Sequence, residues 1–233
     1  MGEPVKKKRP YDGTRRRAAA ARTRAAVLRA AHELFTSRGY ADTAVAEIAA
    51  RAGVSVDTLY ATVGRKPQLL LAVHDMELAG SDSPVAAADR EYVRRMRAEP
   101  TAAGKIAIYA AALGEVLPRT VPLLVALRTA GASDPACREV WDAVRARRAG
   151  NMRLLAADLR STGELREELD DDTVADLVWS MNDPEYFLLL ATRGRTPAQY
   201  AALVRDVWTR TLLREPPRDA SPAPGAPRTP RGS

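Results

Sequence analysis

Residues able to do covalent or metal chemistry are few and scattered in this 233-residue sequence. His32 and His74 are its two histidines and Cys137 its one cysteine, and none falls in a Ser/His/Asp, HExxH or Cys/His arrangement. No Gly-rich phosphate loop accompanies them. These residues read as structural, which argues against an enzyme, a metal site or a bound cofactor. One cysteine also excludes an intrachain disulfide. The chemistry the sequence does concentrate is positive charge. Residues 1–66 hold fourteen Lys and Arg against six Asp and Glu, a balance of +8, while the rest of the chain holds 22 against 23. Such asymmetry points to an N-terminal module that meets a polyanion, joined to a near-neutral body.

A basic module needs rigid elements to present it. Residues 1–13, with Lys6-Lys7-Lys8-Arg9-Pro10, read as a flexible basic arm able to reach phosphates. From Thr14 the chain reads as a long helix ending near Arg38, with Val27, Ala31, Leu34 and Phe35 on one stripe and Gly39 as its left-handed stop. Thr43 is placed to cap a second helix with Val45, Ile48 and Ala49 inward. Gly53 breaks it, Ser55 caps a short third helix around Leu59, and Lys66-Pro67 opens a fourth with Leu69, Leu70 and Val73 inward. The stretch Thr43–Lys66 has the spacing of a helix-turn-helix. Ala49 is small enough for two helices to cross closely, and Gly53 tolerates positive φ at the turn. Ser55, Val56, Asp57, Thr58 and Tyr60 then face outward, at or beside a DNA major groove.

Beyond a turn at Gly80–Pro84 the body shows helical periodicity at about 84–98, 101–116, 120–131, 135–161, 172–192 and 197–213, with prolines at or near the breaks. Pro184 lies within an apolar segment and is expected to kink it. Residues 215–233 are Pro-rich and read as a disordered tail. Hydrophobic residues are 46% and aromatics only 5% of the chain. Ala, Leu, Arg and Glu dominate, so the expected fold is all-α, with about nine helices: a domain at 14–80 and a helical domain at 81–214. No apolar run is read as approaching the roughly 18 residues of a membrane span, and no apolar segment follows the basic start as in a secretory signal. A soluble cytoplasmic protein without a membrane partner is the expectation.

The stretch GYADTAVAEIAARAGVSVDTLYATVGRKPQLLLAV resembles the N-terminal DNA-binding domain of the TetR family of bacterial transcriptional repressors. Gly39-Tyr40, Thr43, Ile48-Ala49, Ala52-Gly53-Val54-Ser55, Thr58-Leu59-Tyr60, Lys66 and Leu69-Leu70 carry the resemblance over roughly 50 residues. Val63 departs from it, since the family more often has Phe there. The resemblance implies that Thr43, Tyr60 and Lys66 meet DNA phosphates and that Ser55, Val56, Asp57 and Thr58 lie where bases or phosphates are read. Chemistry adds that Asp57 could accept from cytosine N4 and the Val56 or Thr58 methyls could touch thymine, whereas the helix dipole alone also favours Asp57. Arg15, Arg16 and Arg17 could reach phosphates or the minor groove, or form a solvated basic face.

For the body the resemblance implies a small-molecule effector site and a homodimer through the last two long segments, 172–192 and 197–213. The stretch VWSMNDPEYFLLLATRGRTPAQY resembles a segment of actinobacterial-type members. Tyr109, Arg128, Trp141, Met152, Trp179 and Asn182 are candidate ligand contacts, as aromatic, flexible or polar side chains on apolar helices. Double-stranded operator DNA, a second copy of the chain and an unidentified effector are therefore the expected partners. Two alternatives stay open: a ligand-independent DNA-binding regulator, which would have a filled core, and an architectural nucleic-acid binder without sequence preference.

Overall fold

The computed structural model describes residues 13–81 and 85–214. The basic arm at Lys6–Arg9, part of the turn before Pro84 and the Pro-rich tail lie outside the described residues. Within them the chain forms ten α-helices and no strand. A lone antiparallel bridge joins Leu165 to Leu213. The helices are α1 (Gly13–Arg38), α2 (Val45–Ala52), α3 (Val56–Val63), α4 (Lys66–Ala79), α5 (Glu91–Ala98), α6 (Ala102–Ala130), α7 (Pro135–Arg160), α8 (Asp171–Met181), α9 (Pro184–Thr192) and α10 (Pro197–Leu212). A 3-10 turn at Ala87–Asp89 leads into α5.

Local signals set most boundaries. Gly39 (φ 87°) and Gly53 (φ 70°) adopt the left-handed conformation that stops α1 and α2. The Ser55 hydroxyl accepts the Thr58 N–H at 3.1 Å and so caps α3. The cap of α2 differs from the expectation. Its N-cap is Ala44, whose N–H is accepted by the Glu47 carboxylate at 3.0 Å. Thr43 is instead buried, its hydroxyl donating back to the Gly39 carbonyl at 2.7 Å to close the α1–α2 corner.

The prolines divide by context. Pro184 does not kink one helix but separates two. It sits in the first turn of α9, and the Asp183 side chain caps that turn by accepting the Glu185 N–H at 2.9 Å. Pro118 and Pro122, expected near breaks, lie inside the continuous 29-residue α6. Each removes a backbone hydrogen bond, at a cost of about 3 kcal/mol in an isolated helix. Here Leu113, Leu117, Val121, Leu124 and Leu127 are all buried along α6, and that packing holds the helix through both prolines. By length and composition α6 is apolar enough to cross a membrane, which corrects the expectation that no such run exists. In this fold its apolar side chains are core.

Two apolar clusters result. The first joins α1–α4 to Leu123, Leu124 and Leu127 of α6 and to Cys137, Val140 and Val144 of α7. The second gathers α6, α7 and α8 around Tyr200, Val204, Trp208 and Leu212 of α10. α6 runs through both. It passes close to α10 at Gly114, where a Cβ would stand 3.0 Å from the Ala201 Cβ and 3.1 Å from the Pro197 carbonyl oxygen. Gly150 in α7 has nothing within 4 Å of that position. Gly114→Val is therefore expected to cost about 1–3 kcal/mol by overpacking. Gly150→Ala should add about 0.5–1 kcal/mol by relieving the backbone entropy of a helix-interior glycine. Thermal unfolding of the two variants should move in opposite directions, and parallel shifts would contradict this account of the α6–α10 contact.

Candidate nucleic-acid interface and ligand cavity

The α2–α3 unit is held by three buried side chains, Ile48, Ala49 and Leu59, and by the Val54 N–H donating to the Ala49 carbonyl at 3.0 Å across the turn. That core leaves Ser55, Asp57, Thr58 and Tyr60 exposed along α3, with Tyr60 showing 44% of its surface. Val56 is half-buried and packs on the core, so its side chain is only partly available to a groove. Thr43 presents no side chain outward, which removes its hydroxyl as a phosphate contact.

α1 supports this face from the side. The Arg24 guanidinium donates to the Thr62 carbonyl at 3.2 Å and ties the end of α3 to α1. A shallow cleft lined by Ala20, Ala21, Thr23 and Arg24 of α1 and Thr58, Ala61 and Thr62 of α3 runs between them. N-terminal to it, residues 14–22 are all exposed, and Arg15, Arg16 and Arg17 stand on these turns. Arg17 bends back to the Gly13 carbonyl at 3.2 Å. Lys66 is half-buried at the start of α4. Its Nζ lies 4.3 Å from the centre of the Tyr40 ring and 3.4 Å from the Ala41 carbonyl oxygen, and burial pulls its pKa below the usual lysine range. Tyr40 in turn lies 3.2 Å from the buried Cys137 thiol of α7. The Arg24 clamp and the Tyr40–Cys137 contact had no signal in the sequence, because each joins residues far apart along the chain.

The body encloses a cavity of about 380 Å³ among α4, α5, α6 and α7 and the start of α9, within the roughly 300–1,000 Å³ typical of small-molecule sites. Its walls are largely apolar, with Val93, Met96, Leu113, Val116, Leu117 and Leu155 among them. Of the candidate contacts, Tyr109, Met152 and Asn182 meet here. Asn182 Nδ2 donates to the Tyr109 hydroxyl at 2.7 Å, and that hydroxyl donates to the Met152 thioether at 3.5 Å. Arg148 holds Asn182 in place through its side-chain oxygen at 3.1 Å and its carbonyl at 2.7 Å. Tyr109 stacks between Trp208, at 5.8 Å, and Tyr92, at 6.2 Å, and burial pushes its pKa up, so it stays a neutral donor.

The other three candidates lie elsewhere. Arg128 is ion-paired with Glu185 at the surface. Trp141 packs against the cluster of α1–α4. Trp179 covers the second cluster, with the Arg145 guanidinium 5.8 Å from its ring. Sequence reasoning chose them for residue type on apolar helices, and type alone does not say which side of a helix borders a void.

Missed by it were the charged residues of the wall: His74, Arg90, Arg97, Arg147, Arg148 and Asp158. His74, read as structural, is buried in α4 and faces the cavity. Its Nδ1 lies 3.3 Å from Asp75 Oδ1, and Arg147 of α7 grips Asp75 through bonds of 2.7 and 3.1 Å. Burial drives the His74 pKa down and outweighs the nearby Asp75, and the Arg147 and Arg90 charges push the same way. For Asp75 burial acts upward, but the hydrogen bonds from His74 and Arg147 and the Arg147 charge prevail and lower it to about 2. Among the described residues no three His, Cys, Asp or Glu side chains come together as a metal-ligand set.

Residues 27–73 match the model of the N-terminal domain of bacterial regulatory proteins of the tetR family. No curated protein matches the sequence. Solved structures share the fold over most of the chain. A putative TetR-family transcriptional regulator from Rhodococcus sp. superposes with a TM-score of 0.60 at 18% identity, covering 82% of this chain and 99% of that one. A putative transcriptional regulator from Saccharomonospora viridis in complex with choline gives 0.63 at 18%, over 84% and 100%. The regulator FadR from Bacillus subtilis in complex with stearoyl-CoA gives 0.58 at 17%, over 78% and 95%.

The two titratable groups joining α4 to α7 yield a pH dependence. His74 has a lowered pKa in the fold, so the unfolded chain takes up its proton first, and stability falls as pH drops through the unfolded histidine value near 6.5. Asp75 contributes stability that is present above the unfolded carboxyl value and is lost as pH falls from about 4 toward about 2. Urea midpoints measured from pH 7.5 to 5 should decline, and His74→Gln should flatten that decline. An equal slope in the variant would place the effect on another group.

Proposed function

We propose that this chain, whose residues 27–73 belong to the N-terminal domain of the tetR family of bacterial regulatory proteins, is a homodimeric, sequence-specific regulator of transcription. It acts as a repressor that leaves a palindromic operator when a small molecule fills the cavity between α4 and α7. It works in the bacterial cytoplasm, where its DNA is, and needs no catalytic step or cofactor. The observation that carries this reading is the position of α4. One face of that helix packs under the helix-turn-helix through Leu69, Leu70 and Val73, while His74 lines the cavity.

Residues Ser55, Asp57 and Thr58 read base edges, with Val56 contributing from the edge of the core. Tyr60, Lys66 and Arg15–Arg17 bind phosphates. One reading helix per chain calls for two copies, set about 34 Å apart on successive turns of the duplex. The segment from α8 to α10 supplies the dimer face, where Leu177 and Leu189 are 37% and 61% exposed. Ligand binding shifts the population of α4 positions toward a spacing that no longer fits adjacent grooves. Nearly complete release needs roughly a 10⁴-fold ligand preference for that state. The bound choline and stearoyl-CoA of two structural relatives are in keeping with an effector site in this fold. A filled body core would have favoured a ligand-independent regulator; the cavity favours an effector.

Selection of random DNA by the purified protein near physiological salt should recover an inverted repeat. Recovery without a consensus would replace this reading with an architectural binder. On the recovered site, Arg15→Ala should weaken all sequences alike and reduce the salt slope by about one, whereas Thr58→Ala should change the preferred base. Reversed effects would reassign those two positions.

A further inference from the structure

We propose that the cavity takes an organic anion, a carboxylate with an apolar body, and that Arg90 is the residue that binds its head. The inference rests on the reading of the cavity as an effector site and adds the chemical class of its occupant. Arg90 occupies the N-cap position of α5 on the cavity wall, makes no side-chain cap bond and is only 7% exposed. Its Nε is buried without a partner, and among the described residues nothing forms a hydrogen bond or ion pair with its guanidinium. A guanidinium always carries its charge, and a buried unpaired charge is strongly unfavourable.

The other buried or half-buried cations of the described wall are paired. Lys105, 4% exposed, is held by both Asp158 oxygens at 3.0 and 3.2 Å and by the Met96 carbonyl at 3.0 Å. Arg147 is paired with Asp75, and Arg148 with Asp183 at 3.4 Å and with Asn182. Asp75, Asp158 and Asp183 are therefore already committed to other cations. Arg97, which also lines the cavity, is exposed to water, so Arg90 is the buried cation of the described wall left without a partner. Its charge reaches the wall, where it acts on both His74 and Tyr109.

A neutral ligand filling this space would shut Arg90 away from water and leave it unpaired. A carboxylate would accept two parallel N–H bonds from its fork. The Tyr109 hydroxyl, now donating to a weak thioether acceptor at 3.5 Å, could turn to the same head. The remaining wall of Val93, Met96, Leu113, Leu117 and Leu155 suits a hydrocarbon body.

The test is calorimetric titration of the full-length protein with decanoate, 1-decanol and decyltrimethylammonium, each below its aggregation threshold. Decanoate should bind at least tenfold more tightly than the other two. Arg90→Gln should weaken decanoate at least tenfold, leave decanol unchanged and unfold no earlier than the parent without ligand, because it removes an unpaired buried charge. A purely structural Arg90 would lower that unfolding temperature instead. Leu113→Trp, which fills the cavity, should abolish decanoate binding. Equal or tighter binding of the alcohol or ammonium, or unchanged decanoate affinity in Arg90→Gln, overturns the anion while the effector cavity stands. Decanoate binding that survives Leu113→Trp, or no binding of any of the three, overturns the cavity reading as well.

Discussion

Helix α4 has no apolar face to spare. Leu69, Leu70 and Val73 are buried in the same cluster as Val27, Leu34 and Phe35 of α1 and as Leu124, Leu127 and Val144 of the body. The helix-turn-helix therefore does not hang on a linker. It shares its core with α6 and α7, so α3 can change position only if that core repacks. Close-packed interiors shift between discrete arrangements rather than bending continuously. The polar contacts reinforce the same joint. Arg147 reaches from α7 to Asp75, and Tyr40 reaches from the α1–α2 corner to Cys137.

The cavity is walled mainly by the second cluster, through Met96, Leu113, Leu117 and Leu155, and reaches this joint at His74, Leu124 and Arg147. His74 on one wall belongs to α4, and Arg147 and Arg148 on another belong to α7. An occupant thus touches residues on both sides of the contact that sets the position of α3. Burial keeps His74 uncharged near neutral pH, and the Asp75–Arg147 pair beside it stays ionised.

Much of the N-terminal domain was legible in the residues. Gly39 and Gly53 mark turns through their need for positive φ, Ser55 marks a cap, and the stripes of Val27–Phe35 and Leu69–Val73 mark inward faces. Exposure of Ser55, Asp57 and Thr58 followed from the same periodicity. Thr43 misled because its hydroxyl suits a cap but found a nearer carbonyl in the preceding corner, while Glu47 served the α2 terminus through a backbone contact. Pro118 and Pro122 misled for a related reason. Local cost argued for a break, and burial along the whole of α6 overrode it.

The sequence by itself determined the all-helical class, the helix-turn-helix, its turn and its outward residues, because those depend on dihedral preference and on spacing within a few turns. It also singled out Tyr109, Met152 and Asn182, though beside three residues that face elsewhere. Only the tertiary structure decided that a void lies between α4, α5, α6 and α7, that Lys105 finds Asp158, and that Arg90 finds no partner among the described residues. Arg90 stands in a run of ordinary charged residues, and whether a charge is paired is settled by helices that meet across the fold. Electrostatic partnership is a property of packing at long sequence separation, and local pattern carries no record of it.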